Sequence, residues 1–250
     1  MTTNGIILHP TDFSSESLYV LRYAHEWAKR SNQELHVLHV ALPLSDDPLR
    51  GAFAAQIDEE EFYREIWEAA DEQMTALIRE VESSDVPVRR VHSRGTDPAP
   101  IIINYAESQD VDLVVMGTAG RTGIPRLLNR SVAVDVVRES ACPVVVTREG
   151  SAMPNRISRI LVPVDLSAFS RPLLRAAAEV ARQFNAEVVV THIVEPLPFP
   201  VPLVGAVTIH DLIPDPIRET EVHLKRLVKS TEELPDAVDV HVHEGHAASG

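Results

Sequence analysis

Cysteine is almost absent from this chain. Cys142 stands alone among 250 residues, which excludes an internal disulfide and a thiolate-rich metal centre. It lies in the apolar run Cys142–Val146, where a thiol packs as a small hydrophobe, and a reducing compartment fits. Basic side chains are also scarce. Lys and Arg number 23 against 37 Asp and Glu, a net charge of −14, and that field repels phosphate backbones and anionic headgroups. Nucleic acid and membrane surfaces are therefore poor partners. Ten glycines rule out a collagen-like polymer. The longest uncharged apolar stretch, Pro196–Val207, is too short for a bilayer and holds four prolines. The amino terminus, MTTNGIILHP, shows no basic region followed by an apolar core, so the expected location is the cytoplasm. No P-loop, dinucleotide fingerprint, H-E-x-x-H or G-x-S-x-G elbow occurs, which leaves dedicated hydrolysis or redox chemistry without visible machinery.

What is present is a repeat. A shift of 153 positions lays residues 5–40 on residues 158–193, and fifteen of those thirty-six positions are identical, among them Pro10/Pro163, Asp12/Asp165, Ser14/Ser167, Asn32/Asn185 and His39/His192. Further on the register slips by three, so that Val88–Gly95 matches Val238–Gly245. The chain is two copies of one unit. The polar stretch Arg148–Arg156 reads as a linker between domains at 1–148 and 156–250.

In the first copy, short apolar runs alternate with helical patterns. Ile6–Leu8 reads as a strand ending at Pro10. Ser14 offers an N-cap to a helix with Leu18, Leu21, Ala24 and Ala28 on one face, and Leu35–Val40 is the next strand. A long helix over Glu59–Val81, a strand at Val88–His92, a helix from Pro98 to Glu107 and a strand at Asp112–Met116 follow. A helix over Pro125–Glu139 and a strand at Pro143–Thr147 complete the copy. Continuous apolar strands are buried on both faces, which implies an α/β fold with an open, doubly wound parallel sheet. The second copy has strands at Arg159–Val164, Glu187–Val194 and Val238–His243 and helices at Ala168–Phe184 and Asp215–Thr231. Nothing after Gly245 matches the last helices, the Gly-rich loop and the last two strands of the first copy, so the second domain is expected to be incomplete at its carboxyl end.

Ligands of open parallel sheets sit beyond the carboxyl ends of the strands, where the strand order reverses. His9–Ser14 (HPTDFS), Leu38–Val40 and Gly117–Ser131 (GTAGRTGIPRLLNRS) lie at such ends. In the last of these, glycines let backbone amides approach an anion at a helix N-terminus. The spacing Gly117, Gly120, nine residues, then Ser131 resembles the nucleotide signature of the universal stress protein family, in its tandem form and over essentially the whole chain. One position departs: Arg130 stands where that family has a third glycine.

The resemblance implies a strand order of 3-2-1-4-5, pairing of domains through their fifth strands, and an adenine nucleotide as ligand. Asp12 and the backbone of Val40, with Pro10 and Thr11 beside them, would hold the base and ribose. Met116, Gly117, Gly120, Ser131 and Val132 would line the phosphates of ATP, with or without Mg²⁺. Arg121 and Arg130 would lie near the anion, and Arg130 either blocks the phosphates or meets them as a cation. Asp12 has a second reading as a cap for the helix after it. With that strand order, Ile160–Val164 becomes an open apolar edge, so the expectation is that either the sequence is a fragment or a second copy or partner protein covers that edge.

The functional expectation is a cytoplasmic stress-response regulator that binds adenine nucleotide in its first domain and is not an enzyme. The alternative is a nucleotide-free interaction module with Arg130 filling the phosphate pocket. Other features support lesser readings. His241, His243 and His246 have a geometry tolerable for zinc but read as solvated, and no metal site is assigned. His39 and His192 recur as packing or hydrogen-bonding groups within the sheet. The Pro196–Val207 segment reads as a loop, a cover over its own domain or a partner surface.

Overall fold

The computed structural model describes residues 5–42, 59–81, 85–117, 132–148, 150–151, 153, 157–195, 199–201, 205–207 and 215–246. They form two compact units, Met1–Pro154 and Asn155–Gly250.

In the first unit, β1 (Ile6–Thr11), β2 (Glu34–Ala41), β3 (Val88–Arg94), β4 (Leu113–Gly117) and β5 (Val144–Thr147) form a parallel sheet of order 3-2-1-4-5. The helices are α1 (Ser15–Ser31), α2 (Glu59–Arg79), α3 (Pro98–Ser108) and α4 (Val132–Glu139). Strand parity shows which helix covers which face. Leu8 and Leu38 join a core cluster with Ala99, Ile102, Ile103 and Ala106 of α3 and Ala133 and Val136 of α4. The alternate residues His9 and Thr11 reach α1, and His92 and Arg94 reach Asp71 and Tyr63 of α2. Helices therefore cover both faces, as a right-handed crossover on either side of β1 requires.

β1 runs through Pro10 to Thr11 instead of stopping at the proline. The reason lies in which way the backbone groups point. Gly5 accepts from Glu34 N–H on the β2 side, whereas Ile6 accepts from Asp112 N–H on the β4 side. Pro10 shares the parity of Ile6, and the β1–β4 register already ends at Leu8↔Val114. The missing N–H therefore falls where no partner strand needs it.

The second unit repeats the first three strands and two helices: β6 (Arg159–Pro163), α5 (Ser170–Phe184), β7 (Glu187–Val194), α6 (Pro216–Lys229) and β10 (Val238–Glu244), with sheet order β10-β7-β6. The first helix of each unit ends on an asparagine in the left-handed region, Asn32 at φ 55° and Asn185 at φ 52°, which is why this asparagine recurs in both copies. Between β7 and α6, the proline-rich stretch contributes a short antiparallel pair, β8 (Phe199–Val201) with β9 (Gly205–Val207), where the sequence suggested a loop, a cover or a partner surface and no strands.

α5 and α6 pack on one face of the small sheet, against Val162, Val164, Val188 and Val190. The other face carries Leu161, paired in register with Val189, and His241, paired with Thr191. Among the described residues no strand pairs with β6 on the side away from β7. The edge is blunted by Pro163. Val164 N–H donates to Thr191 O and Ser158 O accepts from Glu187, so the opposite parity points outward, and at Pro163 that outward position has no N–H to offer.

Candidate functional site

The strand order reverses between β1 and β4, so the crevice beyond their carboxyl ends is the place where this sheet can hold a ligand. The β1 end is built by a tight network. Phe13 sits at φ 61°, in the left-handed region. The Asp12 carboxylate accepts from Ser14 N–H at 3.0 Å and from the Ser14 hydroxyl at 2.7 Å. Ser14, and not Asp12, is the N-cap of α1, accepting from Ser17 N–H at 3.2 Å. Asp12 thus holds the turn that leads into the cap.

Thr11 is fixed at both ends. His39 Nδ1–H donates to its carbonyl at 3.1 Å, and the Phe13 ring lies 4.4 Å from the His39 ring, centroid to centroid. The Thr11 hydroxyl faces inward, 2.7 Å from Ser17 Oγ, which lies 3.3 Å from His9 Nε2; His9 Nδ1 lies 3.0 Å from Val115 O on β4. Burial pushes the His9 imidazole down to about 4, against the backbone contact to Val115 and the charge of Asp12 that pull it upward. His9 is therefore neutral near pH 7.

On the opposite wall β4 delivers Met116 and Gly117. The Met116 side chain belongs to the core under α3 and α4, leaving its backbone for a ligand. Gly117 has no side chain, and a methyl placed there would meet the Glu16 carboxylate at 3.4 Å. An acidic group of α1 thus stands beside the glycine on which phosphates were expected. Val40 is half-buried and packs against the core with β3 alongside, Val40 pairing Ser93. Val132 is the first residue of α4.

The fold thus gathers Pro10, Thr11, Asp12, Val40, Met116 and Gly117 at the carboxyl ends of the adjacent strands β2, β1 and β4. Gly120, Arg121, Arg130 and Ser131 lie outside the described residues, as does the first part of the helix expected from Pro125. The reading of Arg130 as block or cation falls there too.

Sequence reasoning placed His9 and Phe13 only within the His9–Ser14 segment, with no role of their own, and missed Glu16 and Ser17. Ser17 had a signal, since it stands three residues after the cap Ser14. His9 had none beyond being a polar residue in an apolar strand.

Among the described residues the second unit offers the related loop without an opposite wall. Asp165 accepts from Ser167 N–H at 2.9 Å and from the Ser170 hydroxyl at 3.2 Å; hydrogen bonding, from the Ser167 side chain first and then from its N–H and from Ser170, holds the Asp165 carboxyl below the usual range. Leu166 repeats the left-handed backbone at φ 62°, and His192 Nδ1–H donates to Val164 O at 2.7 Å. The expectation for His39 and His192 as sheet hydrogen-bonding groups is met in both copies. His241 and His243 stack with centroids 6.1 Å apart, and among the described residues no group of three or more His, Cys, Asp or Glu side chains converges to hold a metal.

Comparison with known proteins places these features. A family model described as the universal stress protein family matches residues 3–148 and again 156–250. Universal stress protein MJ0531 of Methanocaldococcus jannaschii is 32% identical over 146 residues, 57% of this chain and 81% of that protein. Universal stress protein MJ0577 of the same organism is 29% identical over 152 residues, 57% of this chain and 93% of that protein. A crystal structure of a universal stress protein from Archaeoglobus fulgidus shares the fold across both units, with a TM-score of 0.68 at 23% identity over 98% of this chain and 78% of that one. The doubled sheet, the Asp12 turn facing Gly117 and the matched segments lead to one assignment: the chain belongs to the universal stress protein family.

Proposed function

We propose that the first unit binds ATP or a related adenine nucleotide and that the protein acts as a nucleotide-dependent regulator in the cytoplasm, not as a dedicated enzyme. The observation that carries this reading is the crevice between β1 and β4. There a rigidly held aspartate turn faces a glycine at a strand end, a geometry suited to a ribose on one side and an anion approaching backbone amides on the other. At the Asp12 turn the buried imidazole of His9 already contacts Val115 and Ser17, which leaves it engaged within the fold and not placed as a general base.

Mass spectrometry of the purified, denatured protein tests the reading: copurified adenine nucleotide supports it. Repeated absence, with no thermal shift in millimolar ATP and Mg²⁺, overturns it. Arg130→Gly is the matching variant, and binding that appears only in this variant identifies the arginine as a block.

A second reading, an interaction module, is favoured by one observation. Leu161, on the sheet face away from α5 and α6, is 64% exposed, and Phe169, just before α5, is 81% exposed; each is an apolar group suited to burial against a partner protein or a second copy. In the first reading nucleotide regulates association only by its differential affinity for the two association states; in the second, a nucleotide-free module, association does not depend on nucleotide.

A further inference from the structure

The geometry points to a directional hydrogen-bond relay, Phe13–Thr11–Ser17–His9–Val115, that ties the Asp12 turn of β1 to β4 and acts as the positioning device of the proposed nucleotide crevice. The direction follows from chemistry at each link. A carbonyl only accepts, so His9 Nδ1 carries the proton and donates to Val115 O at 3.0 Å. In a neutral imidazole Nε2 then accepts, and its neighbour at 3.3 Å is the Ser17 hydroxyl, which donates. Having spent its one proton, Ser17 Oγ accepts from the Thr11 hydroxyl at 2.7 Å. Thr11 Oγ1 in turn accepts from Phe13 N–H at 3.1 Å. Each hydroxyl donates once and accepts once, and a single tautomer of a fully buried imidazole closes the chain.

Its ends are functional in the sense of the fold. Val115 lies two residues before Gly117, and Phe13 follows Asp12, so the relay spans the switch point inside the protein while a ligand would span it outside.

The second unit is an internal control. Val162 and Val164 replace His9 and Thr11, and the serine equivalent to Ser17, Ser170, turns its hydroxyl to Asp165 instead. The relay in the first unit thus directs Ser17 away from the aspartate and toward β4. The same unit shows that valines at the two positions are compatible with the fold.

This inference rests on the nucleotide reading for its functional consequence, and the experiment separates the two. Thr11→Val copies the second unit and removes the hydroxyl at nearly constant volume, whereas Thr11→Ser restores it. Three quantities are measured on the full chain: the His9 ring tautomer by nitrogen NMR, the exchange rate of the Phe13 amide, and ATP affinity by calorimetry. The expected results are the Nδ1–H tautomer in wild type and at least tenfold faster Phe13 exchange in Thr11→Val. ATP affinity falls about tenfold in Thr11→Val, the equivalent of one lost hydrogen bond, and both properties return to within about threefold in Thr11→Ser. An Nε2–H tautomer, or a Thr11→Val protein that exchanges and binds as wild type, overturns the relay. If wild type binds no adenine nucleotide, the nucleotide reading falls. The relay as a device holding the turn is then decided by tautomer and exchange alone.

Discussion

Leu8 and Leu161 are the same residue at the same position of the two repeats, yet Leu8 is 0% exposed and Leu161 is 64% exposed. Both project from the first strand of their unit on the face away from the first helix. Over Leu8 lie Ile102, Ile103 and Ala106 of α3. In the second unit both described helices, α5 and α6, pack on the opposite face. The pair therefore measures what a covering layer contributes. Leu8→Ala is expected to destabilise the first unit by about 3 kcal/mol through lost burial and a residual cavity. Leu161→Ala should cost less than about 1 kcal/mol. Urea denaturation of the two variants checks the contrast, and equal losses would show that Leu161 is covered in solution.

His9 predicts a pH dependence. Its folded value, about 4, lies below the ordinary 6.5, so the unfolded chain binds the proton more readily. Stability from this group is fully present above about pH 6.5 and is lost as pH falls toward 4, about 3 kcal/mol in all. Burial lowers His25 and His36 in the same direction. His9→Val, the residue of the second copy, should flatten the stability profile between pH 6.5 and 4, as followed by denaturant midpoints. An unchanged slope would remove His9 as the titrating group.

Glu16 stands beside Gly117, where its charge opposes an arriving phosphate. Glu16→Gln should tighten binding of Mg²⁺-free ATP by about three- to tenfold, a change of about 1 kcal/mol for a partly exposed charge at close range. The gain should shrink in Mg²⁺, which neutralises the phosphates. Calorimetry with and without the cation reads both, and weaker binding by the glutamine variant would place the phosphates elsewhere.

His39 holds the Thr11 carbonyl through Nδ1 at 3.1 Å. Asparagine places an amide N–H near that atom, whereas leucine places none. His39→Leu is expected to lose about 1 kcal/mol of stability and to weaken nucleotide binding, with His39→Asn intermediate. A leucine variant as stable as wild type would show that the recurrent histidine serves packing alone.

Gly117→Ala gives a direct test of backbone approach. The added methyl finds ordinary contact with Glu16 at 3.4 to 3.5 Å, so the melting temperature should shift by no more than about 2 °C. ATP affinity should nevertheless fall at least tenfold, because the methyl occupies the space through which an anion reaches the main chain. Unchanged affinity would exclude contact at this glycine.

The sequence by itself determined the doubling, the alternation of strands and helices and which strand ends form the crevice. Repetition, apolar periodicity and cap residues such as Ser14 and Asn32 are local properties that a linear string retains. Only the tertiary structure decided that β1 continues through Pro10, because that depends on which neighbour each backbone group faces. It alone brought Val115 from β4 to His9 and turned Ser17 away from the aspartate that its counterpart Ser170 meets. The His9–Val115 contact joins residues more than a hundred positions apart, and the preference of one serine hydroxyl is set by whether histidine and threonine or two valines stand beneath it.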